Sequence, residues 1–290
     1  MKQNELVSPI SGNVLKHFLQ AKDYLYTKET FDLYHDEDWD MLVTHPIPDN
    51  LEKYYETKFY KPHQHQNKKS ILNRIYNLIR NFSYRQKYRL IKSYHSKATS
   101  VLDYGTATGE FLQYMTQKSF KVSGIEPNET ARREANKKLN SQVRVSIEEI
   151  QDRFDIITLW HVLEHVQNLD ELIEQLKKKL NSDGILLIAV PNFKSFDAKH
   201  YKKYWAAYDL PRHIWHFSPQ SIRKLFKKHQ CRIIGEQALY FDSFYVSLLS
   251  EQYRSGHKNI IKGFYNGLIS NLKAIRSKNY SSKIYVIKKI

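Results

Sequence analysis

The sequence has a single cysteine, Cys231, among its 290 residues. Disulfides and thiolate metal cages both need several cysteines, so neither is available to this chain. Long apolar runs are also missing, and the longest, from Ile185 to Val190, is far too short to span a bilayer. The first twelve residues lack the apolar core of a signal peptide. These absences predict a cytoplasmic protein.

Acidic residues are scarce relative to basic ones. There are 30 Asp and Glu against 46 Lys and Arg, which leaves a formal net charge of +16. A surface this basic favours anionic partners, namely nucleic acid, acidic lipid headgroups or nucleotide-linked substrates, although a basic surface without a specific partner would look the same. The length allows one full α/β domain with a smaller appendage.

Two segments precede the main domain. Residues 1–50 contain short strand-like stretches separated by turns, which predicts a small β-rich segment. Residues 51–97 show a basic helical pattern, and we expect this helix to pack on the domain by its apolar stripe; a helix lying on a membrane surface is the alternative. The apolar positions that share one helical face are Ile71, Ile75, Leu78, Ile79 and Phe82.

Strand-like and helix-like stretches alternate over residues 98–290. This alternation predicts an α/β fold with a mostly parallel sheet and helices on both faces. A long insert of mixed apolar and basic residues, at about 241–282, precedes the final strand. The pattern leaves three roles open for this insert: contact with a membrane and so with a lipid-linked acceptor, a lid, or a dimer contact.

The most informative stretch is VLDYGTATGEFL, from Val101 to Leu112. A buried strand ends in an acid, and a loop of small residues then leads into an apolar helix. Gly105 and Gly109 let the chain turn tightly and bring its backbone close to a ligand. The N–H groups at the start of the helix can face that ligand.

A second acid, Glu126, ends the next predicted strand, 23 positions after Asp103. A carboxylate at this place can accept both hydroxyl hydrogens of a ribose. The two strand ends therefore predict an adenosine-shaped crevice at the carboxyl edge of the sheet. A nicotinamide-binding fold is the competing interpretation, but its G-x-G-x-x-G spacing differs from the G-x-A-x-G found here.

These residues resemble class I S-adenosylmethionine (SAM)-dependent methyltransferases. Asp103-x-Gly105-x-Ala107-x-Gly109 is similar to their motif I, D-x-G-x-G-x-G, with Ala107 in place of a glycine, a change that costs energy where φ is positive. The resemblance spans about residues 100–240 and implies a Rossmann-like, seven-stranded, mostly parallel sheet and SAM as the cofactor. The residues that it implies for cofactor binding are Asp103, Gly105, Thr106, Ala107, Gly109, Glu126, Pro127 and Trp160.

Two groups of histidines lie where the methyl acceptor is expected. His161 and His165 follow the fourth strand, and His213 and His216 follow the fifth, in a stretch that resembles methyltransferases close to the ubiquinone-biosynthesis O-methyltransferases. Histidine titrates near neutral pH and can take the proton of a hydroxyl acceptor. We expect His213 to be the catalytic base and place His161 second; for each, helix capping or packing is the alternative.

Two neighbours of His213 suggest how an acceptor is held. Arg212 can bind an anionic group such as a phosphate, and Trp215 can form an apolar wall. We expect a small-molecule acceptor with a hydroxyl group, such as a sugar, a quinol-like compound or a lipid-linked compound. An RNA methyltransferase is an alternative that the charge supports, although no RNA-binding module is recognisable. A non-catalytic SAM-binding module is a third interpretation, against which the intact Glu126 argues.

Residue spacing suggests two candidate metal sites. His161, Glu164 and His165, together with His213 or His216, resemble the metal-holding set of small-RNA 2′-O-methyltransferases, but His161 stands where those enzymes have Glu. Ser8, Ser11 and Asp38 lie at the spacing of zinc knuckles without a cysteine, which suggests a metal-free relic of a zinc ribbon or an unrelated hairpin. We therefore expect no metal at either place.

Overall fold

A computed structural model of the chain describes residues 6–55, 71–139 and 142–290, with the backbone only for residues 71–77. The predicted segments 1–50 and 51–97 therefore lie partly outside the described residues. The side chains of Ile71 and Ile75, which belong to the predicted apolar stripe, lie outside them as well.

Ten strands and eight α-helices occur in the described ranges. The strands are β1 (Lys16–Lys22), β2 (Thr30–Asp36), β3 (Met41–His45), β4 (Ser100–Tyr104), β5 (Lys121–Ile125), β6 (Phe154–Trp160), β7 (Leu180–Pro191), β8 (Trp215–His216), β9 (Cys231–Ala238) and β10 (Ser282–Lys289). The helices are α1 (Ile71–Tyr94), α2 (Glu110–Thr116), α3 (Glu129–Leu139), α4 (Leu169–Lys179), α5 (Phe196–Tyr201), α6 (Pro219–Lys228), α7 (Asp242–Ser255) and α8 (Ile260–Ser277).

The central sheet has the strand order β5-β4-β6-β7-β10-β9. Strands β4 to β7 are parallel, and β10 is antiparallel to both of its neighbours. Successive side chains of β7 point to opposite faces of the sheet, and so they pack against different sets of helices. Leu186 and Ile188 belong to the apolar cluster that contains α4 and α6, whereas Ile185 and Leu187 belong to the cluster that contains α1 and α2. The predicted α/β fold with helices on both faces is confirmed.

The sheet has six strands in the described ranges, where seven were predicted. Residues 143–146 form only a one-residue parallel bridge, in which the Arg144 N–H donates to the Gly124 carbonyl at 2.9 Å. A short helical turn, Ile147–Glu149, begins directly after this segment. The chain turns after this single bridge, so residues 143–146 do not form a seventh strand.

A second sheet joins the N-terminal segment to the histidine segment that follows β7. Its order is β1-β2-β3-β8, and all of its strand pairs are antiparallel. The predicted β-rich N-terminal segment supplies β1 to β3. The two-residue strand β8 comes from the histidine segment around His213, so the N-terminal sheet is hydrogen-bonded to the predicted acceptor side.

The two knuckle-like loops are connected by side-chain hydrogen bonds. The Ser11 hydroxyl donates to Asp36 at 2.5 Å, and Asp36 is fully buried. Ser8 accepts the Ser11 N–H at 3.3 Å, while Asp38 accepts from Asn13 at 3.0 Å. Polar contacts thus hold these loops together at the positions where a knuckle would place metal ligands.

The predicted insert forms the helix pair α7 and α8. Glycines of α8 lie against α7, and Cβ atoms built on Gly263 and Gly267 would come within 2.8 Å of the backbones of Leu248 and Phe244. This close approach requires glycine at both positions. Among the helices of the described ranges, none combines the length and the apolar character needed to cross a membrane.

Candidate functional site

Asp103 ends β4 and anchors the loop that follows it. The carboxyl group is buried and accepts a hydrogen bond from the Thr158 hydroxyl of β6 at 2.6 Å. Burial raises the pKa of Asp103 to about 6, against the opposing effects of this hydrogen bond and of the Lys87 charge. The Asp103 side chain therefore anchors the start of the loop to the neighbouring strand β6.

The loop after β4 contains three residues with positive φ: Gly105 at 78°, Ala107 at 49° and Gly109 at 80°. Ala107 thus adopts the left-handed conformation in which Ala is disfavoured relative to Gly by about 1 kcal/mol. A side chain at Gly105 would collide with another part of the protein, because a Cβ there would lie 2.6 Å from Cγ2 of Val162. Gly105 and Thr106 also donate backbone N–H groups to the Ile125 carbonyl, which ties the loop to β5.

Glu126 follows β5 and reaches the same loop. Its Oε2 accepts the Ala107 N–H at 2.8 Å, and its Oε1 accepts the Asn128 N–H at 2.8 Å. Burial raises the pKa of Glu126, and these two hydrogen bonds oppose that effect. The structure therefore brings Asp103, the loop and Glu126 together as predicted, with Pro127 exposed beside them. The two strand ends form one crevice.

The indole of Trp160, at the end of β6, is another predicted member of this crevice. Its Nε1 is buried and has no hydrogen-bond partner among the described residues. Buried donors in native proteins normally have a partner, so this N–H is available to a ligand. Phe111 contacts the ring edge-on, with the two centroids 5.4 Å apart. The buried free donor and the glycine-lined loop fit a polar, adenosine-like ligand.

Lys87 of α1 is a member of this crevice that the sequence analysis missed. Its ammonium lies 3.8 Å from the centroid of the Trp160 ring, a cation–π distance. Burial lowers the pKa of Lys87 to about 8, and the charges of Asp103 and Asp242 act in the opposite direction. No local motif distinguishes Lys87 from the many other basic residues of segment 51–97, so only the packing of α1 reveals it.

His161 is held between two carboxylates. Its Nδ1 lies 3.3 Å from Glu164 and its Nε2 lies 2.9 Å from Asp242 of α7. Burial alone would lower the pKa of His161, but these two partners raise it to about 10. A histidine that is already protonated cannot accept a proton, so this arrangement argues against the prediction that His161 is the second candidate base. Asp242 was not predicted, because it lies 81 residues away in the insert.

His213 and His165 lie together in one cluster, in which His213 is buried and His165 is half-buried. His213 Nδ1 lies 2.9 Å from the Ala207 carbonyl, and because a carbonyl only accepts, this Nδ1 carries a proton. His165 Nδ1 lies 3.0 Å from both the Arg212 carbonyl and the Tyr55 hydroxyl. Burial, followed by the neighbouring His213, lowers the pKa of His165 to about 4. The two rings meet edge to face, with centroids 4.5 Å apart.

Glu164 completes this cluster. Its Oε2 is buried without a hydrogen-bond partner in the described ranges, and one ligand atom from each of Glu164, His165 and His213 lies within 4.8 Å of the others. Two imidazole nitrogens and one carboxylate oxygen are the atoms here that could hold a divalent cation. The predicted metal set differs from this cluster, because His161 is occupied by its carboxylate partners and His216 is bonded to Thr44 at 3.0 Å.

Arg212 and Trp215 were predicted to hold the acceptor, and the structure gives both side chains partners within the protein. Arg212 is 1% exposed, and its guanidinium contacts Asp209 at 2.6 Å and Asp23 at 3.1 Å. It therefore ties the histidine segment to the N-terminal segment. Trp215 is buried in the main apolar cluster, where its Nε1 donates to the Val166 carbonyl at 2.7 Å.

A small pocket of about 10 Å³, which has room for about one water molecule, lies between the N-terminal segment and the residues that precede His213, and Arg212 is part of its lining. It is lined by Tyr24, Trp205, Tyr208, Asp209 and Tyr253, among other residues. Tyr253 comes from α7, which also carries Asp242 against His161. Helix α7 therefore covers the histidine side of the site.

Comparisons with known proteins agree with this architecture. A family profile described as a methyltransferase domain matches residues 72–236. The fold is similar to that of magnesium protoporphyrin IX methyltransferase from Synechocystis, solved with bound S-adenosylhomocysteine (SAH), at 13% identity and a TM-score of 0.51 over 82% of this chain and 92% of that one. A plantazolicin methyltransferase, also solved with SAH, has 18% identity and a TM-score of 0.49 over 75% and 87%. No curated protein matches the sequence.

Proposed function

The chain belongs to the methyltransferase-domain family and is a SAM-dependent enzyme, and we propose that its methyl acceptor is a hydroxyl group of a small molecule. The observation that carries the hydroxyl assignment is the orientation of His213, whose Nδ1 donates its hydrogen to the Ala207 carbonyl at 2.9 Å. A hydroxyl is a weak nucleophile until it loses its proton, and the lone pair left on His213 Nε2 can take that proton during attack.

The donor side is assigned to the crevice at the ends of β4, β5 and β6. SAM, when bound, supplies an electrophilic methyl group on a sulfonium. In this proposal Glu126 accepts the hydroxyl hydrogens of the ribose, and the backbone of the Gly105–Gly109 loop lines the cofactor. The buried Trp160 N–H, which has no partner in the described ranges, supplies one further donor. Asp103 acts indirectly by fixing the loop through Thr158.

The surroundings of His213 suit a base. Asp209 Oδ2 lies 3.9 Å from His213 Nε2, close enough to stabilise the positive charge that forms when the imidazole takes up a proton. His165 beside it is held neutral by burial and does not add a second positive charge. The low exposure of His213, at 8%, keeps bulk water away from the transferred proton.

The same enclosure favours a small acceptor over a folded RNA. The Nδ1 of His213 is hydrogen-bonded within the Ala206–Tyr208 turn, and α7 covers the neighbouring His161. In this proposal the acceptor reaches His213 by a restricted approach, which suits a small molecule.

We extend the proposal to the ancestry of the N-terminal segment. The hydrogen bonds of Ser11 with Asp36 and of Asn13 with Asp38 support the interpretation of residues 1–50 as a metal-free relic of a zinc ribbon, ahead of a basic segment at 51–97 and the catalytic domain at 98–290. In this view, hydrogen bonds took over the connecting role of a metal. The proposed ancestry also groups the chain with the ubiquinone-biosynthesis O-methyltransferase-like enzymes.

The hydroxyl proposal is tested by methyl transfer from labelled SAM to panels of sugar, quinol and lipid-linked hydroxyl acceptors and to RNA. His213→Ala should lower the rate by about 10²–10⁴ while leaving the affinity for SAH unchanged, which is the usual effect of losing a positioned base. The wild-type rate should fall in acid, and the variant should lose this dependence. His17→Ala, which removes an exposed histidine, is the matched control and should behave as wild type.

Three results would contradict the proposal. Transfer to RNA alone would reassign the acceptor. Full activity of His213→Ala at every pH would remove the base, and would favour an acceptor that is already nucleophilic, such as carbon or nitrogen. EDTA should leave the rate unchanged, so a loss of activity in EDTA that manganese or cobalt restores would assign the Glu164–His165–His213 cluster to a metal instead.

A further inference from the structure

Helix α8 turns its large apolar side chains to solvent. Six of them have exposed fractions between 42% and 85%: Ile260, Ile261, Phe264, Leu268, Leu272 and Ile275. With 3.6 residues per turn, these positions fall within an arc of about 120° on the helix surface. We call these six residues the α8 apolar face. Single exposed apolar residues are ordinary on protein surfaces, but six on one helical face mark an interaction site.

The opposite side of the helix explains why this face is uncovered. The residues buried against the protein are small or polar: Gly263, Asn266, Gly267, Ser270 and Ala274. Ser270 donates to Asp197 at 2.7 Å, and Asn266 donates to Glu251 at 2.8 Å. These contacts fix the orientation of the helix, so α8 cannot rotate its apolar side chains inward without breaking buried hydrogen bonds.

Only positive charge surrounds the α8 apolar face in the sequence. No Asp or Glu follows Glu251, so the last 39 residues contain basic side chains and no acidic ones. Lys258, Lys262, Arg276 and Lys278 are all exposed on α8 or at its ends. On the helix surface Arg276 lies about 40° and Lys262 about 80° beyond the same edge of the apolar arc.

We propose that the α8 apolar face binds the surface of a lipid bilayer that contains anionic headgroups. A helix with large apolar residues on one face and basic residues at its edge lies flat in the interface, with the apolar side chains among the upper acyl chains and the cations at the headgroups. Helix α8 is 18 residues long, or about 27 Å, and its exposed arc runs along this whole length.

A second copy of the chain is a poorer occupant of this face. A two-fold contact through α8 would bring the same cations of both copies together, and α8 itself carries no acidic residue that could neutralise them. An anionic membrane offers both an apolar interior and the opposite charge. The net charge of +16 adds a long-range attraction to the same surface.

The position of α8 also connects the membrane with the reaction. Helix α8 packs on α7, and α7 covers the histidine side of the site through the contact of Asp242 with His161. A lipid-linked acceptor would thus enter next to the helix that rests on the bilayer. This choice of acceptor rests on the proposed function, whereas the binding of the membrane does not.

The test uses the full chain and sedimentation with two kinds of vesicle, phosphatidylcholine alone and phosphatidylcholine mixed with phosphatidylglycerol. We expect the protein to sediment with the mixed vesicles and to remain largely in the supernatant with the neutral ones, and high salt should weaken the binding. The double variant Ile261→Ser/Leu272→Ser should lower the partition coefficient by about tenfold or more, because each side chain loses its transfer into the acyl region.

Val14→Ser is the matched control, since Val14 is a similarly exposed apolar residue of the N-terminal segment, and it should sediment as wild type. Lys262→Glu/Arg276→Glu should reduce binding to the mixed vesicles. Absence of binding to both vesicle types, or wild-type binding by the Ile261→Ser/Leu272→Ser variant, would overturn the proposal. A wild-type dimer that this variant converts to a monomer, without vesicle binding, would make the face a dimer contact. Vesicle binding by a chain without transferase activity would refute only the proposed function.

Discussion

At the scale of single residues, Glu126 connects the two strand ends that form the proposed cofactor crevice. Its carboxylate accepts the N–H of Ala107 and the N–H of Asn128, both at 2.8 Å. The side chain is thereby aimed at the loop before any ligand arrives. Such an arrangement is preorganised, because a ribose can replace hydrogen-bond partners without moving the carboxylate far.

Glu126→Ala should weaken the binding of SAH at least about tenfold, because the loss of a charge-assisted hydrogen bond costs about 1.5–3 kcal/mol. Glu126→Gln should fall between wild type and Ala, since its amide oxygen can still accept the Ala107 N–H. Isothermal titration calorimetry measures the affinities, and circular dichroism checks that the variants are folded. Glu129→Ala removes an exposed acid three residues away and serves as the control. An unchanged affinity in folded Glu126→Ala would show that this carboxylate does not hold the cofactor.

Spacing alone could predict which residues form this crevice, but it could not predict the hydrogen-bond partners of the histidines or the effect of those partners on the histidine pKa values. Asp103, the loop and Glu126 are close in sequence, and the ends of adjacent parallel strands must meet at one edge. His161, by contrast, is protonated because of Asp242, which lies 81 residues away. The Nδ1 atoms of His165 and His213 lie against the backbone carbonyls of Arg212 and Ala207. No sequence pattern encodes such partners.

At the scale of elements, alternating strand and helix signals predicted the α/β fold because each element has its own apolar period. The orientation of α8 could not be obtained in this way. Its apolar residues share a face, which would normally predict burial of that face. The glycines on the other side decide the outcome instead, because they allow α7 to approach within backbone contact. The face of α8 that carries small residues is therefore buried, and the face that carries large apolar residues is exposed to solvent.

Gly267→Ala provides a measurement of this packing. A Cβ at Gly267 would lie 2.8 Å from the Phe244 Cα, and backbone cannot move aside as a flexible side chain can. We expect a loss of unfolding free energy of about 1–3 kcal/mol from overpacking, although Ala is the better helix former by about 1 kcal/mol. Leu272→Ala removes a far larger side chain from the exposed face and should cost less than about 0.5 kcal/mol. Urea unfolding measures both, and equal effects would show that α8 does not pack on α7 through its glycines.

At the scale of the whole molecule, the N-terminal sheet and the histidine segment form one structural unit. Strand β3 pairs with β8, and the Thr44 N–H donates to the Ile214 carbonyl at 2.9 Å. The buried pair of Arg212 with Asp23 adds a second connection. The sequence analysis placed these residues in different regions, because Thr44 and His216 are separated by 172 positions. A two-residue strand such as β8 leaves no periodic signal that could have revealed the pairing.

Thr44 is the residue through which this unit reaches the proposed base. Its hydroxyl donates to the His213 carbonyl at 2.7 Å and accepts from His216 Nε2 at 3.0 Å, and all three groups are buried. Burial lowers the pKa of His216, which agrees with a neutral ring that donates from Nε2. Thr44→Val keeps the shape of the side chain and leaves both partners unsatisfied. The free energy of unfolding should fall by about 1–3 kcal/mol for each partner left without a bond.

The same substitution should separate the acceptor side from the donor side. We expect the methyl-transfer rate of Thr44→Val to fall about tenfold or more, because small displacements of a positioned base are costly, while SAH affinity stays as in wild type. Thr30→Val, on the exposed part of β2, is the control for a threonine in the same sheet and should change neither quantity. A folded Thr44→Val enzyme with the full rate would show that the N-terminal sheet does not position His213. Equal losses of rate and of SAH affinity would point to a general weakening of the fold, since Thr44 contacts the histidine segment and not the cofactor crevice.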